Sequence, residues 1–217
     1  MLNTIDLKQI ERKAYRSTFE DGLMDMLLGA IIASTGIYMY RPGSGYSPVN
    51  IIGMLLIFVV LQLLYQAGKK YITQPRMGQV RFGPARKHRR KTMAIILGAI
   101  VLFQAILVVL TSVGWLIPAI GEKLFGSIDG YSSERLVVAA LGSLFVGPPM
   151  LVMAYMIDFP RGYYIAVLMA LAVFLIILTN QMIYSLVIGA IIILPGLVLF
   201  IRFLRKYPLP QGDQAHG

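Results

Sequence analysis

Long uninterrupted apolar runs separated by short polar stretches organise this chain. Six runs approach or exceed the length of a membrane-crossing helix, which needs about 20 mostly apolar residues. They are Gly22 to Tyr40, Val49 to Tyr65, Met93 to Ile117, Leu136 to Ile157, Gly162 to Leu178 and Met182 to Leu204. Within each run the apolar positions are continuous rather than alternating, as the strands of a lipid-facing barrel would require, so the predicted class is all-α. Only Thr179, Asn180 and Gln181 separate the last two runs. One helix through both would be roughly 60 Å long, twice the hydrocarbon thickness, so a tight hairpin is expected there. The first run lies behind a polar segment, is long enough to span and lacks a small-residue cleavage pattern, so it is expected to be retained rather than removed as a signal peptide. The chain thus reads as a single six-helix membrane domain over 1–217, with a short basic amphipathic segment at 1–20, a basic loop at 69–92 and a short tail at 205–217. Ser17 and Glu20 have the spacing of a capping box and predict that the first helix starts at that point.

Composition agrees with lipid as the solvent. The 217 residues are 57% apolar and 14% charged, with a mean hydropathy of +0.72; soluble domains carry about a quarter charged residues. The 20 Lys and Arg outnumber the 10 acids, and their placement predicts orientation. With the N-terminus in the cytoplasm, the outer side holds only Arg41, Lys123 and Arg135, and every other Lys and Arg falls inside. Tyr38, Tyr40, Trp115 and Tyr184 then lie at the outer boundary, and Tyr65, Tyr71, Tyr155, Tyr163, Tyr164 and Tyr207 at the inner one, as an interfacial aromatic belt requires. The expectation is a multi-pass protein of the cytoplasmic (inner) membrane with both termini inside.

Several chemistries drop out. The absence of cysteine removes disulfides, thiol nucleophiles and thiolate metal sites, and two histidines leave little for a metal. The chain has no H-E-x-x-H, no Walker lysine motif and no second glycine after Gly142-Ser143 to make a nucleophile elbow. Asp21-Gly22 matches the start of the lipid alcohol-phosphotransferase motif, but the Ala-Arg that should follow and the trailing aspartates are absent. No cofactor or metal is expected, and nothing argues for an enzyme. The 12 methionines are scattered and read as packing filler.

Charges in lipid are expensive and usually functional. Asp25 is the acid inside a span, one turn after Asp21, so both carboxylates share a face. Gly29, Ala33 and Gly36 continue that face as a groove of small residues. This is a candidate proton or cation site, with Asp158 at the same end of the bundle; equally, the acids suit a helix N-terminus and the small stripe suits close helix packing. Arg76 or Arg81 is expected to fold back onto this acidic rim.

The segment from Lys69 to Lys91 carries nine basic residues and no acid. Pro75 and Gly78 predict a chain reversal, and Val80 and Phe82 a small hairpin. Arg76, Arg81, Arg86, Lys87, Arg89, Arg90 and Lys91 are the candidate residues for anionic lipid or a protein partner, with a topology determinant as the simpler role. No nucleic-acid module surrounds them. Gly147-Pro148-Pro149 and Pro195 interrupt two spans. The prolines free carbonyls near Leu144 and Phe145, either for a substrate or for satisfaction by neighbouring helices. Ser34, Thr35, Gln62, Gln104, Thr111, Ser143 and Ser185 are the polar side chains that could meet them or one another, and Ser185, Gly189 and Gly196 form a second small stripe. The functional expectation is a non-catalytic accessory or scaffold subunit binding anionic lipid or a partner through the basic loop, with a homo-oligomer open. The alternative is a small transporter or channel-like protein using Asp25 and the helix break.

Overall fold

The structure is a computed structural model, which describes Ser17 and residues 19–39, 48–77, 84–111 and 132–208. Among these residues the regular structure is helical throughout, with no strand. The elements are α1 (Leu23–Met39), α2 (Pro48–Gly68), a π-helical turn (Lys69–Thr73), the short α3 (Gln74–Met77), α4 (Pro84–Thr111), α5 (Ser133–Met156), α6 (Gly162–Thr179) and α7 (Ile183–Lys206).

Four of the helical stretches are long and apolar enough to cross a membrane: the one running from α2 to Met77, α5, α6 and α7. Two shorter apolar stretches, in α1 and α4, accompany them. The reasons are local. α1 has 17 residues, about 25 Å of rise, and α4 spends its first two turns on Arg86, Lys87, His88, Arg89, Arg90 and Lys91 before its apolar part begins. The expected hairpin is present. α6 ends on Asn180 in the left-handed conformation (φ 52°), whose N–H bonds the Ile176 carbonyl, a helix stop that asparagine accepts more readily than most residues.

Two local expectations are corrected. α1 begins at Leu23 rather than at Ser17: Glu20 N–H closes a turn on the Ser17 carbonyl, and Gly22 follows at φ +68°. That backbone breaks any helix arriving from Ser17, and glycine adopts it without strain. Asp21 is the residue that caps α1, its Oδ1 accepting from Leu23 N–H at 3.2 Å. The basic segment is also less of a loop than expected. The chain stays helical from α2 to Met77, and α4 starts at Pro84, the first helical position that proline favours. Pro75 sits inside α3 just after the π turn, in which Gln74 N–H bonds the Lys69 carbonyl. A proline ring clashes with the carbonyl four residues back in a regular helix, and the wider turn relieves that clash. The hairpin expected at Val80 and Phe82 lies outside the described residues, as does Arg81.

The core lies among α1, α5, α6 and α7. Leu28 and Ile32 meet Met150, Ile165, Ala166, Met169, Ile188 and Ile192, with Phe159 from the α5–α6 turn closing one end. α2 is attached through α1 and α4 through α5. From Ile52 to Leu64 no α2 residue is buried, as expected of a helix with lipid on most sides.

The two small-residue stripes prove to be one interface. Gly22, Gly29 and Gly36 recur every seven residues along α1 and meet Gly196, Gly189 and Ser185 of α7 in reverse order. A Cβ on Gly29 would lie 2.8 Å from the Gly189 carbonyl oxygen, and one on Gly189 2.8 Å from both the Gly29 oxygen and the Ala33 Cβ. The backbones are therefore in direct contact. In lipid, where apolar surface itself drives no association, such contact is what holds helices together.

Candidate functional site

The start of α1, the π turn after α2, the α5–α6 turn and the last turn of α7 converge at one end of the bundle. Asp21 and Asp25 are fully buried there. Asp21 Oδ2 accepts from Lys69 Nζ and from Thr73 Oγ1, each at 2.7 Å. The π turn is what carries both donors, four residues apart, to one carboxylate oxygen. Arg161, from the α5–α6 turn, places Nη1 2.7 Å from Asp25 Oδ2, and its Nη2 donates to the Phe19 carbonyl. The Asp25 contact is an ion pair without an aligned hydrogen bond on either oxygen.

Aromatic rings shield these charges. Phe19 and Phe159 pack at 5.2 Å between ring centres, Lys69 lies 5.8 Å from the Phe19 ring and 5.7 Å from the Tyr65 ring, and Arg161 lies 5.5 Å from the Phe159 ring. Taking four charged groups out of water costs several kcal/mol each unless partners are close. Close pairing and cation–π contact supply that compensation.

Arg76 takes a different position from the one its sequence suggested. Its Nη1 donates to the carbonyls of Tyr207 at 2.8 Å and Leu204 at 3.3 Å, capping the end of α7 where the helix dipole favours a cation. Asp158 is buried at the same end as Asp21 and Asp25, in the α5–α6 turn, with a left-handed backbone (φ 53°). Of the remaining basic candidates, Arg86, Lys87, Arg89 and Arg90 lie on the first turns of α4, and Lys91 is exposed on the same helix. Sequence reasoning missed Lys69, Thr73 and Arg161 as the partners of the acids. For Arg161 the available signal was a lone cation between two spans, opposite a lone acid in another.

The helix break is satisfied internally. Pro149 has no N–H to give the Phe145 carbonyl, and Gln104 Nε2 of α4 donates to that oxygen instead, at 3.1 Å. Gly147 is buried and Pro148 exposed. In α7, Pro195 points outward while Gly196 faces Asp25 and the Gly22 carbonyl. Among the described residues no group of His, Asp and Glu could hold a metal ion. The chain matches no family model, no curated protein and no solved structure.

Proposed function

We propose that the chain crosses the cytoplasmic (inner) membrane six times with both termini inside, and serves as a non-catalytic accessory or scaffold subunit. Its basic segment engages anionic lipid or an acidic face of a protein partner. One observation carries this reading: the run from Arg86 to Lys91 occupies the first two turns of a 28-residue helix. Cations are disfavoured at a helix N-terminus, where the dipole end is positive and backbone N–H groups lack intrahelical partners. An anionic surface reverses both penalties, adding about 1 kcal/mol of attraction for each Lys or Arg near the bilayer. A dense basic run at that position is therefore most favourable against anions.

The groups that a transporter would use are engaged in holding the bundle. Asp25 is paired with Arg161, the proline-freed Phe145 carbonyl accepts from Gln104, and the α1–α7 groove is filled by glycine backbone. These contacts support a reading in which the core is static and recognition falls to the membrane surface. The test replaces Arg86, Lys87, Arg89, Arg90 and Lys91 with glutamine and weighs the gently extracted protein by native mass spectrometry. The wild type is expected to retain more anionic lipid than the neutralised protein, beyond any lipid held inside the bundle, or a copurified subunit that the neutralised protein lacks. Equal retention by both would remove the basic segment from the function.

A further inference from the structure

The charged end of the bundle also contains a cavity of about 410 Å³, lying between the Phe19–Glu20 turn, the α5–α6 turn and the last turns of α7. That volume falls within the roughly 300–1,000 Å³ of ligand pockets. Its α7 wall is Leu199, Arg202, Phe203 and Lys206, a spacing that places all four on one helix face. Leu199 lies furthest into the bundle and Lys206 nearest its end, so the wall passes from apolar to basic toward the membrane boundary. Phe159 and Phe203 are 1% and 3% exposed and complete the apolar part.

The cations along this wall are not equally engaged. Arg161, at the back, is held by Asp25 and the Phe19 carbonyl. Lys206 lies 5.1 Å from the ring of Tyr207, which also lines the cavity, and approaches Glu20 only to 3.7 Å, with both the Lys206 and Glu20 side chains more than half exposed, contacts that contribute little in water. Arg202 is exposed and has no carboxylate partner among the described residues. Asp158 also lines the cavity, buried and with an interaction of its own. An apolar wall, buried at Phe159 and Phe203, that ends in two exposed cations at the end of a membrane bundle has the same layering as a phospholipid, with acyl chain inside and phosphate at the boundary.

We infer that this cavity is a phospholipid-binding site: Arg202 and Lys206 take the headgroup phosphate, and Leu199, Phe203 and Phe159 hold the first part of an acyl chain. The inference rests on the membrane reading of the chain and is independent of the basic segment at 86–91. For the test, the full-length chain is reconstituted in vesicles of equal parts phosphatidylcholine and phosphatidylglycerol, re-extracted gently and weighed by native mass spectrometry. Wild type and Arg202→Lys retain a phospholipid. Arg202→Gln combined with Lys206→Gln, both at exposed positions that leave the fold intact, lowers retention about tenfold for each cation removed. Leu199→Trp lowers it by occupying the apolar wall. Neutralising Arg86, Lys87, Arg89, Arg90 and Lys91 leaves this lipid in place, so failure of the surface reading and failure of this one are separable. A wild type that carries no phospholipid, or cavity variants that retain it as well as wild type, overturns the inference. So does displacement by inorganic phosphate alone, because the ligand would then be a soluble anion.

Discussion

Replacing Gln104 with leucine keeps most of the side chain's bulk and removes the amide that serves the Phe145 carbonyl. In the native bundle that oxygen has lost its own helical donor to Pro149 and accepts from Gln104 Nε2 at 3.1 Å. A fully buried acceptor left without a partner costs about 1–3 kcal/mol, and this one is only partly buried. Interhelical hydrogen bonds in membranes average about 0.6 and reach about 1.7 kcal/mol, because the unfolded chain in lipid also finds partners. The expected destabilisation is therefore about 1 kcal/mol. Pro149→Ala returns an N–H to position 149 and with it the regular bond to the Phe145 oxygen. Gln104→Leu in that background should then cost only a few tenths of a kcal/mol. A double-mutant cycle read by reversible unfolding in detergent or bicelles measures the difference, with an expected coupling of about 1 kcal/mol. If the two substitutions are additive within about 0.3–0.5 kcal/mol, Gln104 does not repair the proline break and this reasoning is refuted.

The other predictions concern packing and charge. Gly29→Leu and Gly189→Leu each force apart the α1–α7 backbones and should cost about 3 kcal/mol or more by the same unfolding assay. Gly98→Leu, in α4, where an added Cβ meets nothing within 4 Å, should stay within about 0.5 kcal/mol of wild type. Arg161→Gln leaves the Asp25 carboxylate buried and unpaired. With the arginine side chain 26% exposed, the loss should fall near the low end of the range for broken buried pairs, about 3 kcal/mol. Adding Asp25→Asn should recover most of it, and a double variant no more stable than Arg161→Gln would contradict the pairing. Thr73→Val should cost about 1 kcal/mol through the Asp21 bond, seen as a lowered melting temperature.

Much of the fold was legible because a membrane helix announces itself by a long apolar run, and α5, α6, α7 and the Asn180 turn fall where the runs and their gaps place them. Each small-residue stripe was legible too, since periodicity alone shows that one helix face lacks bulk. That the two stripes face each other was not, because periodicity identifies a face and says nothing about its neighbour. The same limit explains the charges. The charge pattern directs the acids to the basic segment, which holds for Asp21, paired with Lys69 at its start, but not for Asp25, because α1 packs on α6 and α7 and so brings Asp25 to the lone Arg161 of the turn before α6. Local backbone overrode local pattern at two places. The Ser17 and Glu20 spacing promised a cap that Gly22, at positive φ, transfers to Asp21. Pro75, read as a reversal, is accommodated by a π turn that in turn delivers Lys69 and Thr73 to Asp21.

The claim that the polar groups of this core hold the bundle together, rather than form a path through it, meets its most direct test in proteoliposomes. Proton and monovalent-cation flux would be measured across vesicles containing wild type or Asp25→Asn. The account predicts that neither exceeds the leak of protein-free vesicles. A flux that wild type supports and Asp25→Asn abolishes would contradict it and identify Asp25 as a transport site.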